Sequence, residues 1–118
     1  MGLQALRLGA ILLPMPQFID LQGASGAQYR FRLASGFSPL AGNFVFVRTE
    51  QGRALVVGAG TATSLKEVAA LWRRAVDELQ AEAVYLYLNI ASRARLPVHD
   101  DIVQQHNPPF VALELGAS

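Results

Sequence analysis

The chain alternates between short apolar runs and polar breaks, and several of these runs have the period of a β-strand. In "YRFRL" (29–33) apolar and charged residues alternate strictly, which is typical of a strand with one buried face. The runs "NFVFVR" and "RALVVG" are separated by "TEQG", a spacing that predicts an antiparallel hairpin. "AVYLYLNI" (83–90) is apolar nearly throughout and predicts a central strand covered on both faces, and "FVALEL" predicts a last strand.

Two segments have helical spacing instead. After the hairpin, Ser64 and Glu67 form a capping box, so we expect an amphipathic helix to begin at Ser64. A second, shorter helix is expected to begin at Pro97, end near His106 and stop before Asn107 and the Pro-Pro pair. The element order predicts an α/β fold with a small mixed or antiparallel sheet. The apolar stripe predicted for the first helix consists of Leu65, Val68, Ala69, Trp72, Ala75, Val76 and Leu79.

Composition narrows the class of protein. The 118 residues are 52% hydrophobic and 16% charged, which predicts one globular domain. The net charge of +1 does not indicate a strongly electrostatic partner, and the absence of cysteine excludes disulfides, thiolate metal sites and cysteine nucleophiles. The first apolar run is short, is broken by Pro14 and Pro16 and lacks a clear cleavage site, so we expect a cytoplasmic protein without membrane contact.

The glycine-containing stretch "VVGAGTATS" (56–64) raises the question of a phosphate-binding loop. Backbone amides and three hydroxyls would meet at a helix N-terminus there, which is a generic anion site. However, Thr63 stands where a dinucleotide fingerprint needs its third glycine, and no Gly-Lys-Ser/Thr sequence follows. We therefore interpret Gly58 and Gly60 as turn residues and do not expect a small-molecule ligand.

Four short sequences, taken in chain order, resemble the GIY-YIG endonuclease superfamily, whose hallmark is a hairpin carrying two name motifs, followed at once by a helix. Gly42-Asn43-Phe44-Val45-Phe46 and Val56-Val57-Gly58 occupy the places of the two motifs, and Ser64-Leu65 opens the helix. "DDIVQQHNPPF" (100–110) resembles the family's late helix, which ends in a basic residue or His followed by an Asn-Pro-Pro turn.

This resemblance covers roughly residues 29–112. It implies a GIY-YIG-like domain at 29–115, preceded by an N-terminal extension of strand and loop at 1–28.

The resemblance also implies which positions would carry catalysis. Phosphodiester cleavage needs an oriented, deprotonated water, a cation on the phosphate and stabilisation of the leaving oxygen. In the family, Tyr hydroxyls on the two hairpin strands prepare the nucleophile, a helical Arg contacts the phosphate, and a late Glu binds a divalent metal. Phe44 and Val56 stand at the Tyr positions, Val68 at or near the Arg position, and His99 near the Glu position. The resemblance therefore implies the fold without the nuclease activity.

We expect a non-catalytic binding module that uses the former cleft, without a cofactor. Because Phe and Val make that cleft apolar, a protein partner or self-association is favoured, while Arg93 and Arg95 in the loop "ASRARLP" are candidates for nucleic-acid phosphates. The alternative is a divergent nuclease in which Asp100 or Asp101, with His99, binds Mg²⁺ or Mn²⁺. The expected cleft residues are Gly42, Phe44, Val56, Gly58, Lys66, Arg73, Arg93, Arg95, His99, His106 and Asn107.

Overall fold

The computed structural model describes residues 5–8 and 11–117, with side chains from Met15 to Ala117. The strands in this part of the chain are β1 (Ala5–Leu8), β2 (Ile11–Pro14), β3 (Phe18–Gln22), β4 (Gln28–Leu33), β5 (Gly42–Glu50), β6 (Arg53–Ala62), β7 (Ala83–Leu88) and β8 (Phe110–Leu115). The helices are α1 (Ala69–Leu79), which follows a 3-10 turn at Leu65–Val68, and α2 (Ser92–His106).

Six strands form one mixed sheet in the order β3-β4-β7-β5-β6-β8. All neighbours are antiparallel except β6 and β8, which run parallel. The β5–β6 hairpin reverses at Gln51 and Gly52, which both have positive φ (53° and 76°), as tight hairpin turns require. The predicted hairpin and the predicted α/β class are thus confirmed.

Part of the N-terminal extension belongs to this sheet. β3 lies within residues 1–28 and pairs with β4 from Phe18 to Gln22, and Leu21 is buried. The extension therefore contributes an edge strand, while β1 and β2 pair with each other in a separate ladder. The apolar run "GAILLPMP" predicts a short buried strand; residues 11–14 form β2, and the burial of their side chains lies outside the described residues.

The sheet separates two apolar layers because successive side chains of a strand point to opposite faces. On one face, Val45 and Tyr85 pack with Ile102 of α2. On the other face, Phe44 and Phe46 belong to the layer that contains Ala75 of α1. β5 contributes to both layers, and its residues 42–47 are all buried.

The first helix differs from the prediction at its start. Ser64 forms no side-chain capping hydrogen bond, and the chain passes through the 3-10 turn before α1 begins at Ala69. A 3-10 turn has fewer residues per turn than an α-helix, so it shifts the phase of the stripe. Ala69 and Val76 are consequently exposed, and Leu71 instead packs against the apolar layer.

The second helix begins five residues earlier than predicted. α2 starts at Ser92, so "ASRARLP" is not a loop and Pro97 lies inside the helix. Arg95 holds this first turn, because its Nη1 donates to the carbonyl oxygens of Asn89 (3.2 Å) and Ile90 (2.8 Å). Pro97 has no backbone N–H, so the helix lacks one hydrogen bond there, and the contacts of Arg95 stabilise the helix against that loss.

The strand predicted at 83–90 is central as expected, since β7 lies between β4 and β5, but it is not covered throughout. Ala83, Val84 and Tyr85 are buried, whereas Leu88 is 56% exposed and Ile90 is 62% exposed. The carboxyl end of β7 therefore borders solvent.

Candidate functional site

The two positions that correspond to the family's tyrosines lie in different layers. Phe44 is fully buried in the layer that contains Ala75 of α1, beside Phe46 with ring centroids 5.3 Å apart. Val56 is 3% exposed and packs in the other layer, with Ile102 of α2. The sheet thus separates them, and they do not line a common surface.

The stretch "VVGAGTA" is strand, neither a phosphate loop nor a turn, because β6 continues to Ala62. A Cβ on Gly58 would lie 2.8 Å from Cδ2 of Phe46, and one on Gly60 would lie 2.5 Å from Cζ of Phe44. The two glycines make room for the aromatic rings of β5. The interpretation of Gly58 and Gly60 as turn residues is therefore wrong.

Two of the three hydroxyls at the generic anion site are engaged by β8. Thr61 Oγ1 accepts a hydrogen bond from the backbone N–H of Glu114 (2.7 Å), and Thr63 Oγ1 donates to the carbonyl of Leu115 (3.1 Å). On the facing strand, at the same open end of the hairpin as Thr61, a Cβ on Gly42 would overlap the carbonyl oxygen of Tyr87. Gly42 therefore serves close packing of β5 against β7.

The predicted cations do not converge. Lys66 lies exposed on the 3-10 turn, and the side chain of Arg73 on α1 is 92% exposed and pairs with Asp77 at 3.7 Å. Arg93 is exposed at the start of α2, whereas Val68, the position matched to the family's Arg, is fully buried.

Arg95 is not available to a phosphate. It is 4% exposed, and its guanidinium forms a bidentate ion pair with Glu114, with Nη2–Oε1 at 2.8 Å and Nε–Oε2 at 3.1 Å. The hydrogen bonds from Arg95 hold the pKa of Glu114 below its usual value. The expectation that Arg95 contacts nucleic acid is therefore wrong.

Two asparagines extend this ion pair into a polar network. Asn43 Nδ2 donates to the backbone carbonyl of Arg95 (3.0 Å), and Asn89 Nδ2 donates to Asn43 Oδ1 (3.0 Å). The network joins β5, the β7–α2 connection, α2 and β8. Sequence reasoning missed it because its partners are far apart along the chain and follow no local period.

Asp101 holds a turn. Its carboxylate accepts hydrogen bonds from Ser25 N (2.8 Å), Ser25 Oγ (2.6 Å) and the hydroxyl of Tyr29 (2.7 Å). These bonds, chiefly those from Ser25, lower the pKa of Asp101. The hydrogen bond between Tyr29 and Asp101 raises the pKa of Tyr29. A Cβ on Gly23 would overlap the carboxylate, so the glycine allows the turn to approach α2. The oxygens of Asp101 are thereby engaged.

The two histidines of α2 serve different contacts. His99 is 5% exposed, its Nδ1 has no partner among the described residues, and burial lowers its pKa although Asp100 acts in the opposite direction. His106 Nε2 lies 2.9 Å from the carbonyl oxygen of Gln22 and so joins α2 to β3.

These residues do not fit the Mg²⁺ or Mn²⁺ site of the alternative hypothesis. Both ions prefer oxygen ligands, yet Asp101 is engaged by Ser25 and Tyr29, and His99 presents a desolvated imidazole. Among the side chains that the structure describes, no group of three His, Cys, Asp or Glu is placed to hold a metal ion.

Three of the predicted cleft residues do meet. Val56, His106 and Asn107 line a groove of about 370 Å³, together with Arg48 and Glu78. A second groove of about 440 Å³ lies between β4 and β7, where sequence reasoning placed no site.

Across residues 5–8 and 11–117, no helix is long and apolar enough to cross a membrane. We found no match to this chain among protein-family models, and no significant match among curated proteins or solved structures.

Proposed function

We propose that the protein is a non-catalytic binding module on a GIY-YIG-like fold. The element order supports this: the β5–β6 hairpin is followed by the first helix, by β7 antiparallel to β5, and by α2 with its His-Asn-Pro-Pro ending. This is the order that the sequence resemblance implies. The domain would therefore keep the family's order of strands and helices and use its surface to bind a partner.

The observation that carries the proposal is the burial of every position matched to a catalytic group. Phe44 and Val68 are fully buried, Val56 is 3% exposed and His99 is 5% exposed. A phosphodiester and its attacking water must both reach the groups that activate them, within hydrogen-bonding distance. The three apolar side chains, packed in two separate layers, offer neither access nor proton transfer, and the imidazole of His99 is buried away from solvent.

A protein is favoured over nucleic acid as the partner. Several arginines already bind carboxylates of this chain, as Arg30 does with Asp20 and Arg74 with Glu78. Nucleic-acid binding would need unpaired cations grouped on one face. Large apolar side chains are exposed instead, and they include Leu88, Ile90, Leu96, Val111 and Leu113.

The proposal is tested by incubating the full chain with labelled single- and double-stranded DNA in Mg²⁺ or Mn²⁺, with cleavage and binding read on the same gels. We expect no cleavage. Cleavage that disappears in Asp100→Asn and Asp101→Asn variants would overturn the proposal in favour of the nuclease. Salt-sensitive binding without cleavage would keep the module but assign it a nucleic-acid partner.

A further inference from the structure

The groove between β4 and β7 is called here the β4–β7 groove. It is bordered by Arg30 and Arg32 of β4, by Leu86 and Leu88 of β7, and by Ser35 and Ser38 of the loop that follows β4. It has a volume of about 440 Å³. Because Leu86 packs in the layer of Phe44, the groove opens on the α1 side of the sheet.

The groove exists because two neighbouring strands separate. β4 and β7 pair only at Arg32↔Leu86 and Leu33↔Tyr85, and Ala34 N adds one bond to the carbonyl of Val84 (3.0 Å). Both strands nevertheless continue beyond Arg32 and Leu86, where β4 stays paired with β3 and β7 with β5. The sheet is therefore split between these strands.

The split leaves backbone groups directed into the groove. In an antiparallel ladder, hydrogen-bonded pairs occur at every second residue, and Ala34 and Arg32 set that phase for β4. Arg30 and Leu88 are the next pair in phase, but the ladder ends before them. Their N–H and C=O groups thus face each other across the split and offer donors and acceptors to an added chain.

Aromatic rings fill the opposite side of the split. The ring of Tyr87 lies 5.3 Å from that of Phe31 and 6.0 Å from that of Tyr29, between centroids. All three rings belong to the α2 side of the sheet, where Phe31 is fully buried. The groove is therefore open on the α1 side of the sheet and closed by packed rings on the α2 side.

The two arginines of the groove differ in their contacts. Arg30 binds Asp20 through Nε (2.9 Å) and Nη2 (3.1 Å), and its guanidinium lies 5.6 Å from the ring centre of Phe18. Arg32 is exposed and makes no hydrogen bond or ion pair with any side chain between Met15 and Ala117. The groove thus presents one unpaired guanidinium beside apolar side chains.

We propose that the β4–β7 groove binds an extended, acidic segment of a partner protein, an inference that rests on the binding function proposed above. The segment's backbone pairs with Arg30 and Leu88, as in strand addition, and one of its carboxylates binds Arg32. Its apolar side chains lie against Leu86 and Leu88. A nucleic-acid strand fits less well, because the carboxylate of Asp20 borders Arg30 and the exposed carbonyl groups would oppose phosphates.

The test uses labelled pools of random hexapeptides with one fixed residue, Glu, Gln or Lys, added to the full chain. Binding is measured by fluorescence polarisation, and the site by changes in backbone amide NMR signals. We expect the Glu pool to bind about tenfold more tightly than the Gln pool, the size of one charge-assisted contact, and to shift the signals of Arg30, Arg32 and Leu88. Arg32→Gln should remove this preference. Arg53→Gln, a change at another exposed arginine next to the hairpin turn, should keep it.

Several results would overturn the groove as an acidic-peptide site. These are equal binding of the Glu and Gln pools, binding by no pool, signal changes confined to residues outside the groove, or an Arg32→Gln variant that keeps the preference. Single-stranded DNA that shifts the groove signals where the Glu pool does not would reassign the site to nucleic acid. None of these results bears on catalysis, whereas DNA cleavage would contradict the proposed function whatever the peptides do.

Discussion

The ring of Phe44 lies directly across from Gly60 in the β5–β6 ladder, and the missing side chain of the glycine is the space that the ring occupies. The same relationship joins Phe46 to Gly58. A stretch that resembles a phosphate loop in sequence is thus a strand shaped by the aromatic residues of its neighbour.

Gly60→Ala should reduce stability. The added Cβ would lie 2.5 Å from Cζ of Phe44 and would overlap the carbonyl oxygen of Ala112. The neighbouring strands β5 and β8 would therefore have to shift away from β6. Overpacking of this kind costs about 1–3 kcal/mol in the free energy of unfolding, measured by urea denaturation. Gly36→Ala is the control, because its Cβ meets no atom within 4 Å, and it should change stability by less than about 0.5 kcal/mol. Equal effects of the two changes would refute this account of Gly60.

Arg95→Met should destabilise the start of α2. The change keeps an aliphatic stem but leaves the carbonyls of Asn89 and Ile90 and the carboxylate of Glu114 without their donor. Loss of partners for such groups costs about 1–3 kcal/mol each where they are buried, and less where water reaches them, as at the partly exposed Glu114. Urea denaturation should separate this variant from Arg93→Met, an exposed change two residues earlier that should have little effect. Similar losses in both variants would mean that Arg95 does not hold the turn.

His99→Leu should flatten the dependence of stability on pH. Burial lowers the pKa of His99 in the folded state below its ordinary value of 6.5, so the unfolded chain binds the extra proton first as the pH falls. The contribution of a neutral His99 is therefore fully present above about pH 6.5 and is lost as the pH falls towards the lowered folded pKa. The free energy of unfolding, measured from about pH 7 to pH 5, should fall less in His99→Leu than in the natural chain. His106→Gln, which keeps His99, should retain the steeper fall, and parallel curves for the natural chain and His99→Leu would contradict the assignment.

Asp101→Asn should loosen the turn that carries Ser25. The amide of Ser25 donates to Asp101, and the contact with Asp101 is the main cause of the raised pKa of Tyr29. In the variant, hydrogen exchange at the Ser25 amide should become faster and the pKa of Tyr29 should fall. Asp100→Asn, a change at the exposed neighbouring residue, should alter neither, and unchanged exchange in Asp101→Asn would show that other contacts hold the turn.

The parts of the fold that the sequence predicts well are those with local causes. The two apolar, β-branched runs of β5 and β6, with Gly52 at the turn between them, specify the hairpin within a few residues. The start of α2 could not be predicted in this way, because Arg95 bonds the carbonyls of Asn89 and Ile90 while it pairs with Glu114, nineteen residues away along the chain. Pro97 is typical of the first turn of a helix, so it predicts a start for α2 that is five residues too late.

The residues of the candidate site were harder still to predict, because their contacts join parts of the chain that are far apart in sequence. The roles of Asp101 and His106 depend on Ser25 and Gln22, which lie 76 and 84 residues away along the chain. The β4–β7 groove depends on where pairing ends, and Arg30 and Arg32 look like ordinary solvent-facing residues of a strand. The end of the β4–β7 pairing at Arg32 and Leu86 shows that the sheet splits beside them, and no local sequence pattern indicates that end.

The central claim is that no catalytic metal centre forms on α2. Its most direct test is a titration of the isotope-labelled full chain with Mn²⁺, followed by backbone amide NMR. A bound paramagnetic ion broadens the signals of nearby amides. The account predicts that the amides from Val98 to Ile102 broaden no more than those around Asp77 and Glu78, an exposed acidic pair on α1. Saturable broadening centred on His99, Asp100 and Asp101, and lost in Asp101→Asn, would contradict it.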